Sequence, residues 1–372
     1  MSSAPPIDAA ALQHQLIGNI PTGSDWVTNP HPDARWFDNA RLGLFIHWGI
    51  ASVHGATDLS WGMIKDRPWD SGSEISRDVT PVEYYQLANK FDPQNYHPER
   101  WLAAAKAAGM TYAVLTAKHH DGYTLWPSAS GEVGVRHSLG GRDLVAPFVE
   151  ACRNTGLKVG LYYSPPDWHF SRNHMSFEYK SFGAIERWRR DGGARPEVQA
   201  FGFDHQPYQP IPYLADFEEQ LAQHVKIQIE ELLTRYGKVD LLWFDGRPYP
   251  LDTPGAITID RIRELQPSIL INPRLLHGGD FATFECRMPA EPPVGRWEYN
   301  DTISDSRPGN SGWGYHDGGI YETADVVRTR LKKVRIWGGN YLANCGLRPD
   351  GEMPPDYYVL MSQLAREGLG SD

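Results

Sequence analysis

The sequence predicts an α/β fold, a TIM-like (β/α) barrel, because short apolar runs typical of buried strands alternate with helical segments along the chain. The clearest unit is a helix between residues 214 and 232, whose apolar side chains recur at three- and four-residue spacing, followed by a strand at 239–244. Gly237 lies between them, where a helix commonly stops. The strand leads into Asp245. A carboxylate at the carboxyl end of a barrel strand can be a nucleophile, a base, a metal ligand or a helix cap.

The length of 372 residues fits one barrel with long loop insertions. Residues 1–33 are expected to form an irregular N-terminal arm, because they are rich in Pro, Asn and Asp. Residues 34–372 are expected to form the catalytic barrel, with an irregular count of strands or helices. The sequence contains no internal repeat, and no shift in composition marks a linker between domains.

The composition narrows the class of partner. Acidic residues exceed basic ones by ten, which argues against binding to nucleic acid or to an anionic membrane. The sequence contains no apolar run long enough to span a bilayer, and its N-terminus lacks the features of a signal peptide. Cys152, Cys286 and Cys345 are too widely spaced to form a metal-ligand pair. We therefore expect a reduced, cytoplasmic protein with a small-molecule partner and no membrane partner.

Seven apolar runs predict the strands of the barrel. They are 41–49, 111–118, 158–163, 239–246, 268–274, 296–300 and 339–344. Periodic or capped segments predict the helices, at 81–90, 98–108, 143–156, 214–232, 259–265 and 323–336. The segment 50–80 is too long to be a mere connector, and the poorly periodic segment 170–212 is expected to be a loop inserted over the barrel mouth.

Polar and charged side chains stand at the predicted strand ends, where barrel enzymes place their chemistry. They are His47, His119, His120, Tyr163, Asp245 and Arg274. Each has a structural alternative: a buried histidine bonded to a carbonyl group, a packed tyrosine with a wet hydroxyl, or an arginine in an ion pair. Because the strand interiors are nearly all apolar, the coincidence of the whole set at strand ends favours a functional site.

Two chemistries fit these residues. Histidines and an aspartate can bind a metal that activates water, but the histidines lack His-x-His spacing and no further ligand set is evident. The alternative is glycoside hydrolysis by two carboxylates, with the histidines and arginine bound to sugar hydroxyls and some of the 13 tryptophans packed on the ring. The helices begin without a glycine-rich phosphate loop, so we expect no cofactor. The histidine spacing leads us to expect no metal.

Several strand-end motifs occur together and in order. They are Phe45-Ile46-His47-Trp48-Gly49, Thr116-Ala117-Lys118-His119-His120-Asp121-Gly122, Gly160-Leu161-Tyr162-Tyr163-Ser164, Trp243-Phe244-Asp245-Gly246, Trp297-Glu298 and Gly338-Gly339-Asn340-Tyr341-Leu342-Ala343-Asn344. With these motifs the chain resembles the α-L-fucosidases of glycoside hydrolase family 29. The resemblance runs from about Trp36 to Gly351 and covers nearly the whole barrel.

The resemblance implies a retaining exo-glycosidase that hydrolyses terminal α-L-fucosides, or a close relative such as α-L-galactosides, by double displacement. It implies that Asp245 is the nucleophile and that Glu285 is the acid/base, with Glu291 as the second choice and Glu298 as a more structural residue. It also implies a set of sugar-binding residues: His47, Trp61, His119, His120, Tyr163, Trp243 and Arg274.

Two departures from the family pattern bear on specificity and assembly. Ser60 stands where relatives usually have a sugar-binding glutamate, which leaves the fucose preference open and makes L-galactose an alternative. The chain ends some thirty residues after the Gly-Gly-Asn motif, so we expect no C-terminal β-sandwich and consider self-association as its replacement. The rival hypothesis from another class is a barrel that binds a sugar but has lost catalysis.

Overall fold

The computed structural model describes residues 28–68, 79–191, 194, 196–210, 215–246, 253–274, 279–304 and 312–369. The predicted N-terminal arm lies mostly outside the described residues. Its last residues enter a 3₁₀ helix at Pro32–Asn39, and the predicted boundary at residue 33 stays a prediction. Among the described helices, none combines the length and the apolar character needed to cross a membrane.

Eight parallel strands form one curled sheet that confirms the predicted barrel class. They are β1 (Leu42–His47), β2 (Tyr112–Lys118), β3 (Lys158–Tyr163), β4 (Leu241–Phe244), β5 (Leu270–Ile271), β6 (Ala282–Glu285), β7 (Trp297–Thr302) and β8 (Asn340–Gly346). Their order is β5-β4-β3-β2-β1-β8-β7-β6. Within the described chain, β5 and β6 share no ladder. Asp280 bridges that gap, because its amide donates to Ile271 O at 2.7 Å and its carboxylate accepts from Ile271 N at 2.7 Å.

Helices surround the sheet and connect its parallel strands. They are α1 (Pro81–Gln86), α2 (Pro98–Ala107), α3 (Val135–Ser138), α4 (Val145–Thr155), α5 (Tyr179–Asp191), α6 (Ala215–Arg235), α7 (Ile259–Leu265), α8 (Ala324–Ile336) and α9 (Pro355–Glu367). Local sequence sets their ends. Thr80 and Glu83 form a reciprocal capping box at the start of α1, and Gly156 ends α4 in the left-handed conformation at φ 69°.

Several elements differ from the sequence-based expectation. Strand β6, which is only four residues long and ends at Glu285, was not among the predicted strands. The predicted insertion at 170–212 contains α5 and a small hairpin, Ala200–Phe201 with Pro207–Tyr208. Helix α9 was not predicted; its buried side chains, among them Tyr357 and Leu364, pack into the core.

A layer of side chains inside the barrel supports the strand ends above it. Glu298 on β7 accepts hydrogen bonds from Tyr112 on β2 at 2.7 Å and from Trp243 on β4 at 2.9 Å. Burial raises the pKa of Glu298 to about 7, although both hydrogen bonds act in the opposite direction. One carboxyl group thus ties three strands together across the interior, and the candidate site begins in the next layer toward the carboxyl ends.

Candidate active site

A pocket opens where the carboxyl ends of the strands meet. Its lining side chains are Phe45, His47, Leu59, Trp61, His119, Tyr162, Trp243, Asp245, Glu285, Asn300 and Trp313. A larger cavity of about 210 Å³ lies beside Tyr315, Tyr321 and Arg348. That cavity lacks a close pair of carboxylates, so the strand-end pocket is the candidate active site.

Two carboxylates share one guanidinium in the pocket. Arg274 donates from Nη1 to Asp245 Oδ1 at 2.6 Å and from Nη2 to Glu285 Oε2 at 2.6 Å. Asp245 follows β4, Glu285 ends β6, and Arg274 follows β5, which lies between those strands in the chain. The two acidic groups are therefore held apart by the width of one guanidinium with a hydrogen bond on each side. The sequence predicted this pair, and the structure brings the pair together.

Asp245 is held as a carboxylate. Burial opposes its ionisation, but the charge of Arg274, the proximity of His120 and a hydrogen bond from Tyr162 outweigh that effect and lower the pKa of Asp245 to about 2. The Tyr162 hydroxyl donates to Asp245 Oδ2 at 2.7 Å. The group is therefore ionised at any pH near neutrality, as a carboxylate nucleophile must be.

Replacing Arg274 with methionine is expected to lower the free energy of unfolding at neutral pH by about 3–5 kcal/mol, because Asp245 and Glu285 lose their shared cation while buried. Because Arg274 keeps the folded pKa of Asp245 below its unfolded value, that stabilisation is present above pH 4 and lost as pH falls toward 2. Urea denaturation of both proteins from pH 7 to pH 3 measures this. A constant stability difference over that range would contradict the ion-pair explanation.

His47 is a neutral histidine with a fixed tautomer. Its Nδ1 lies 2.7 Å from Asn344 Oδ1, and Asn344 Nδ2 donates to Trp313 O at 2.8 Å, which fixes the orientation of the amide. Nδ1 therefore carries the proton, and Nε2 is left as an acceptor. Burial lowers the pKa of His47 to about 4. The side chain can accept a hydrogen bond from a ligand hydroxyl at neutral pH.

His119 and His120 are both buried, and the Nδ1 atom of each contacts a serine hydroxyl. His119 Nδ1 contacts Ser60 Oγ, and His120 Nδ1 lies 2.6 Å from Ser164 Oγ. Burial lowers the pKa of both imidazoles, that of His120 to about 4. His119 lines the pocket, whereas His120 contacts Asp245 Oδ2 at 3.7 Å and is not among the lining side chains.

Ser60 has a different position from the one its motif suggested. Its side chain is fully buried and is not among the pocket-lining groups. Its hydroxyl accepts from Asp121 N at 3.0 Å as well as contacting His119 Nδ1. In this chain Ser60 therefore orients His119 and the segment after β2, and the neighbouring Leu59 and Trp61 face the pocket.

The described part of the chain contains one set of candidate metal ligands, which sequence spacing did not indicate. Single ligand atoms of His119, His120 and Asp245 lie within 4.8 Å of one another. Asp245 already holds the Arg274 guanidinium on one oxygen and the Tyr162 hydroxyl on the other. A cation there would compete with both, so the donor set fits a sugar-binding pocket with an ionised carboxylate better than a metal centre.

Aromatic side chains form the walls of the pocket. Trp243 stacks on Tyr162, with ring centroids 5.7 Å apart, and the Arg274 guanidinium lies over the Trp243 ring at 4.9 Å. Tyr162 in turn stacks on His119 at 5.6 Å. Trp61 packs edge-on against His120 at 5.8 Å. Predicted residues Trp61 and Trp243 thus lie where apolar faces of a sugar could pack.

The structure corrects the prediction for Tyr163. Successive side chains of a strand point to opposite faces, and on β3 it is Tyr162 that faces the pocket. Tyr163 points the other way and donates to Gln228 Oε1 on α6 at 2.8 Å. Both tyrosines are fully buried, so apolar character alone could not reveal which one faces inward.

The sequence reasoning also missed four lining residues. They are Phe45, Leu59, Asn300 and Trp313. Phe45 was signalled by its position two residues before His47, which places both on one face of β1. Asn300 could have been found in the same way, by alternation from Glu298 on β7. Trp313 follows a long connection after β7, and the local sequence pattern does not predict which residues it contacts.

Comparisons with known proteins agree with this geometry. A family model described as Alpha-L-fucosidase matches residues 21–366. Among curated proteins, the chain is 27% identical over 362 residues to tissue alpha-L-fucosidase of Rattus norvegicus, which covers 89% of this chain and 67% of that protein. The chain thus spans about two thirds of that relative's length.

Solved structures give the same result. Alpha-L-fucosidase isoenzyme 1 from Paenibacillus thiaminolyticus is 30% identical with a TM-score of 0.70, over 90% of this chain and 75% of that chain. Alpha-L-fucosidase AlfC from Lactobacillus casei, solved in complex with its α-L-fucose product, is 27% identical with a TM-score of 0.66, over 90% of this chain and 98% of that chain.

Proposed function

The chain belongs to the alpha-L-fucosidase family, and on that premise we propose that it is a retaining exo-glycosidase that hydrolyses terminal α-L-fucosides. The single observation that carries this proposal is the pair of carboxylates, Asp245 and Glu285, that share the Arg274 guanidinium at the mouth of the barrel. Retaining glycosidases need two carboxyl groups roughly 5 Å apart. A spacing of one guanidinium is of that order.

In the first step Asp245 attacks the anomeric carbon while Glu285, which must carry a proton at that point, protonates the glycosidic oxygen. The leaving group departs, and a fucosyl ester forms on Asp245. In the second step Glu285 takes a proton from water, the water attacks the same carbon, and the Asp245 carboxylate is released. Arg274 holds the two side chains at the ends of different strands in one geometry.

The remaining pocket groups bind the sugar in this proposal. The Nε2 atom of His47 accepts a hydrogen bond from a sugar hydroxyl, and His119 contributes a further hydrogen-bonding nitrogen. His120 lies outside the lining and contacts Asp245 Oδ2 at 3.7 Å. Trp243 and Trp61 pack against apolar faces of the ring. Exo cleavage of a single terminal residue is carried over from the family resemblance.

The test is a panel of nitrophenyl glycosides that includes α-L-fucoside, α-L-galactoside and β-D-galactoside. We expect turnover of the α-L-fucoside. The α-L-galactoside is the expected close competitor, because L-fucose and L-galactose share their ring stereochemistry. Proton NMR of the first product should show the α anomer. Saturable fucose binding without turnover of any glycoside would instead identify an inactive sugar-binding barrel.

A matched pair of variants tests which tyrosine of β3 serves the site. Tyr162→Phe is expected to lower kcat/KM for the aryl fucoside about tenfold, because Asp245 loses a hydrogen bond. Tyr163→Phe removes the bond to Gln228 and is expected to leave kcat/KM within twofold of wild type while lowering stability by about 1 kcal/mol. The opposite kinetic ranking would reverse the assignment.

We also propose a cytoplasmic location and an assembly of more than one copy, both carried over from the sequence. Cys152 and Cys345 are buried free thiols, as expected in a reducing compartment. Cell fractionation tests the location, and light scattering of the purified chain tests the assembly. Recovery in a secreted fraction, or a monomer at all concentrations, would contradict the respective proposal.

A further inference from the structure

Asn300 on β7 is a fully buried residue whose side-chain amide has no hydrogen-bond partner among the described residues. It lines the pocket, and neither its Nδ2 nor its Oδ1 forms a hydrogen bond with any residue that the structure describes. Buried amides in folded proteins nearly always have partners, because an unpaired one costs the free energy of removing it from water. An amide left in this state at a pocket wall is suited to a ligand that supplies the missing hydrogen bonds.

The neighbouring strand shows the opposite arrangement. Asn344 on β8 is equally buried, but the protein satisfies both ends of its amide: Oδ1 meets His47 and Nδ2 meets the carbonyl of Trp313. Two buried asparagines thus lie on adjacent strands; the amide of Asn344 is bonded within the protein, and that of Asn300 is not bonded to any described residue. The difference argues that Asn300 is reserved for a ligand.

The position of Asn300 indicates which part of a ligand it would meet. It is the Cα partner of Glu285 in the β6–β7 ladder, and its carbonyl accepts from Cys286 N at 2.8 Å. Two residues earlier, Glu298 faces the barrel interior, so strand alternation directs Asn300 inward as well. The amide therefore lies beside the carboxyl group to which we assign proton transfer.

We propose that Asn300 is a sugar-binding residue whose amide donates to and accepts from hydroxyl groups of the fucosyl unit on the Glu285 side of the pocket. This inference rests on the proposed function and adds a specificity determinant to it. An amide offers one donor group and one acceptor, which matches neutral hydroxyls. It remains uncharged next to Glu285, so it can read the sugar without altering the charge of the carboxylate pair.

The role predicts opposite effects on stability and on activity. Asn300→Leu removes an unsatisfied buried amide, so we expect the melting temperature of the free protein to rise by about 1–4 °C. The same change removes contacts to the sugar, so kcat/KM for the aryl fucoside is expected to fall about 10- to 100-fold. Asn300→Ala, which removes the amide without adding bulk, should show the same loss of kcat/KM.

Asn340 supplies the matched control. It is also buried, but its amide donates to Phe37 O at 2.6 Å and accepts from Arg41 N at 2.8 Å, at the opposite end of β8. Asn340→Leu should lower the melting temperature and leave kcat/KM within twofold of wild type. The contrast separates the loss of a bonded amide from the loss of an unbonded one.

Aryl fucosides that each lack one ring hydroxyl complete the test. One of them should be a poor substrate for wild type yet lose nothing further in Asn300→Ala, because the variant has already lost that contact. If kcat/KM for the aryl fucoside stays within twofold of wild type in both Asn300 variants, this inference alone is overturned. A wild type that hydrolyses no fucoside would overturn the proposed function and this inference with it.

Discussion

Replacing Asp245 with alanine is expected to lower kcat for an aryl α-L-fucoside by about four orders of magnitude or more, because the covalent route is lost with the nucleophile. The Asp245 carboxylate accepts hydrogen bonds from Arg274 and Tyr162, and its pKa of about 2 keeps it ionised. The other carboxyl group of the pair, Glu285, is assigned to proton transfer. Initial rates with a nitrophenyl fucoside measure the effect. Activity within tenfold of wild type would remove Asp245 from this role.

The fold of the Asp245 variant needs its own control, because the change also removes one of the two carboxylates that the described residues place on the Arg274 guanidinium. Circular dichroism and the melting temperature establish that the barrel persists. Azide is a small nucleophile that can enter the space left by the side chain. We expect azide to restore part of the turnover, with a fucosyl azide of inverted configuration as the product, whereas a misfolded variant would gain nothing.

Replacing Glu285 with alanine is expected to produce a loss that depends on the leaving group. A general acid contributes about 10²- to 10⁴-fold when the departing oxygen needs a proton. We therefore expect kcat/KM to fall about 1000-fold or more for a fucosyl disaccharide but far less for a dinitrophenyl fucoside, whose leaving group departs unaided. A Brønsted series of aryl fucosides measures the change of slope. An equal loss for every leaving group would assign Glu285 to another role.

The two other glutamates named by the sequence serve as controls for that experiment. Glu291 is exposed, and Glu298 is fully buried beneath the pocket with both oxygens bonded to Tyr112 and Trp243. Neither lines the pocket among the described residues. Glu291→Ala should retain wild-type kinetics with every leaving group, and a leaving-group effect there would move the acid/base assignment.

The sequence predicted the residues whose chemistry contrasts with their surroundings. Asp245 and His47 each end an apolar run, and in a barrel such an ending lies at the mouth. Arg274 and His119 were found on the same basis. These positions could be predicted because strands buried on both faces appear in the sequence as nearly continuous apolar runs, and the polar residue that ends each run is then easily recognised.

The sequence failed where the answer depended on register or on distant contacts. Tyr162 and Tyr163 are adjacent, aromatic and equally buried, and only the register of β3 with β4, which pairs Tyr162 with Trp243, shows which one faces inward. The pairing of Ser60 with His119 joins residues far apart in the chain, so the motif suggested a pocket position that the fold does not give it. The inward direction of Asn300 follows from strand alternation, but its amide's lack of hydrogen-bond partners among the described residues is visible only in three dimensions.

The most direct measurement is the identification of the residue that carries the sugar during turnover. A 2-deoxy-2-fluoro-fucosyl donor with a reactive leaving group should slow the second step more than the first and let the ester accumulate. We predict one fucosyl adduct per chain, located by peptide mass spectrometry on Asp245, which sits at the end of β4 opposite Glu285. An adduct on any other side chain, or turnover that yields the inverted anomer with no adduct, would contradict the account.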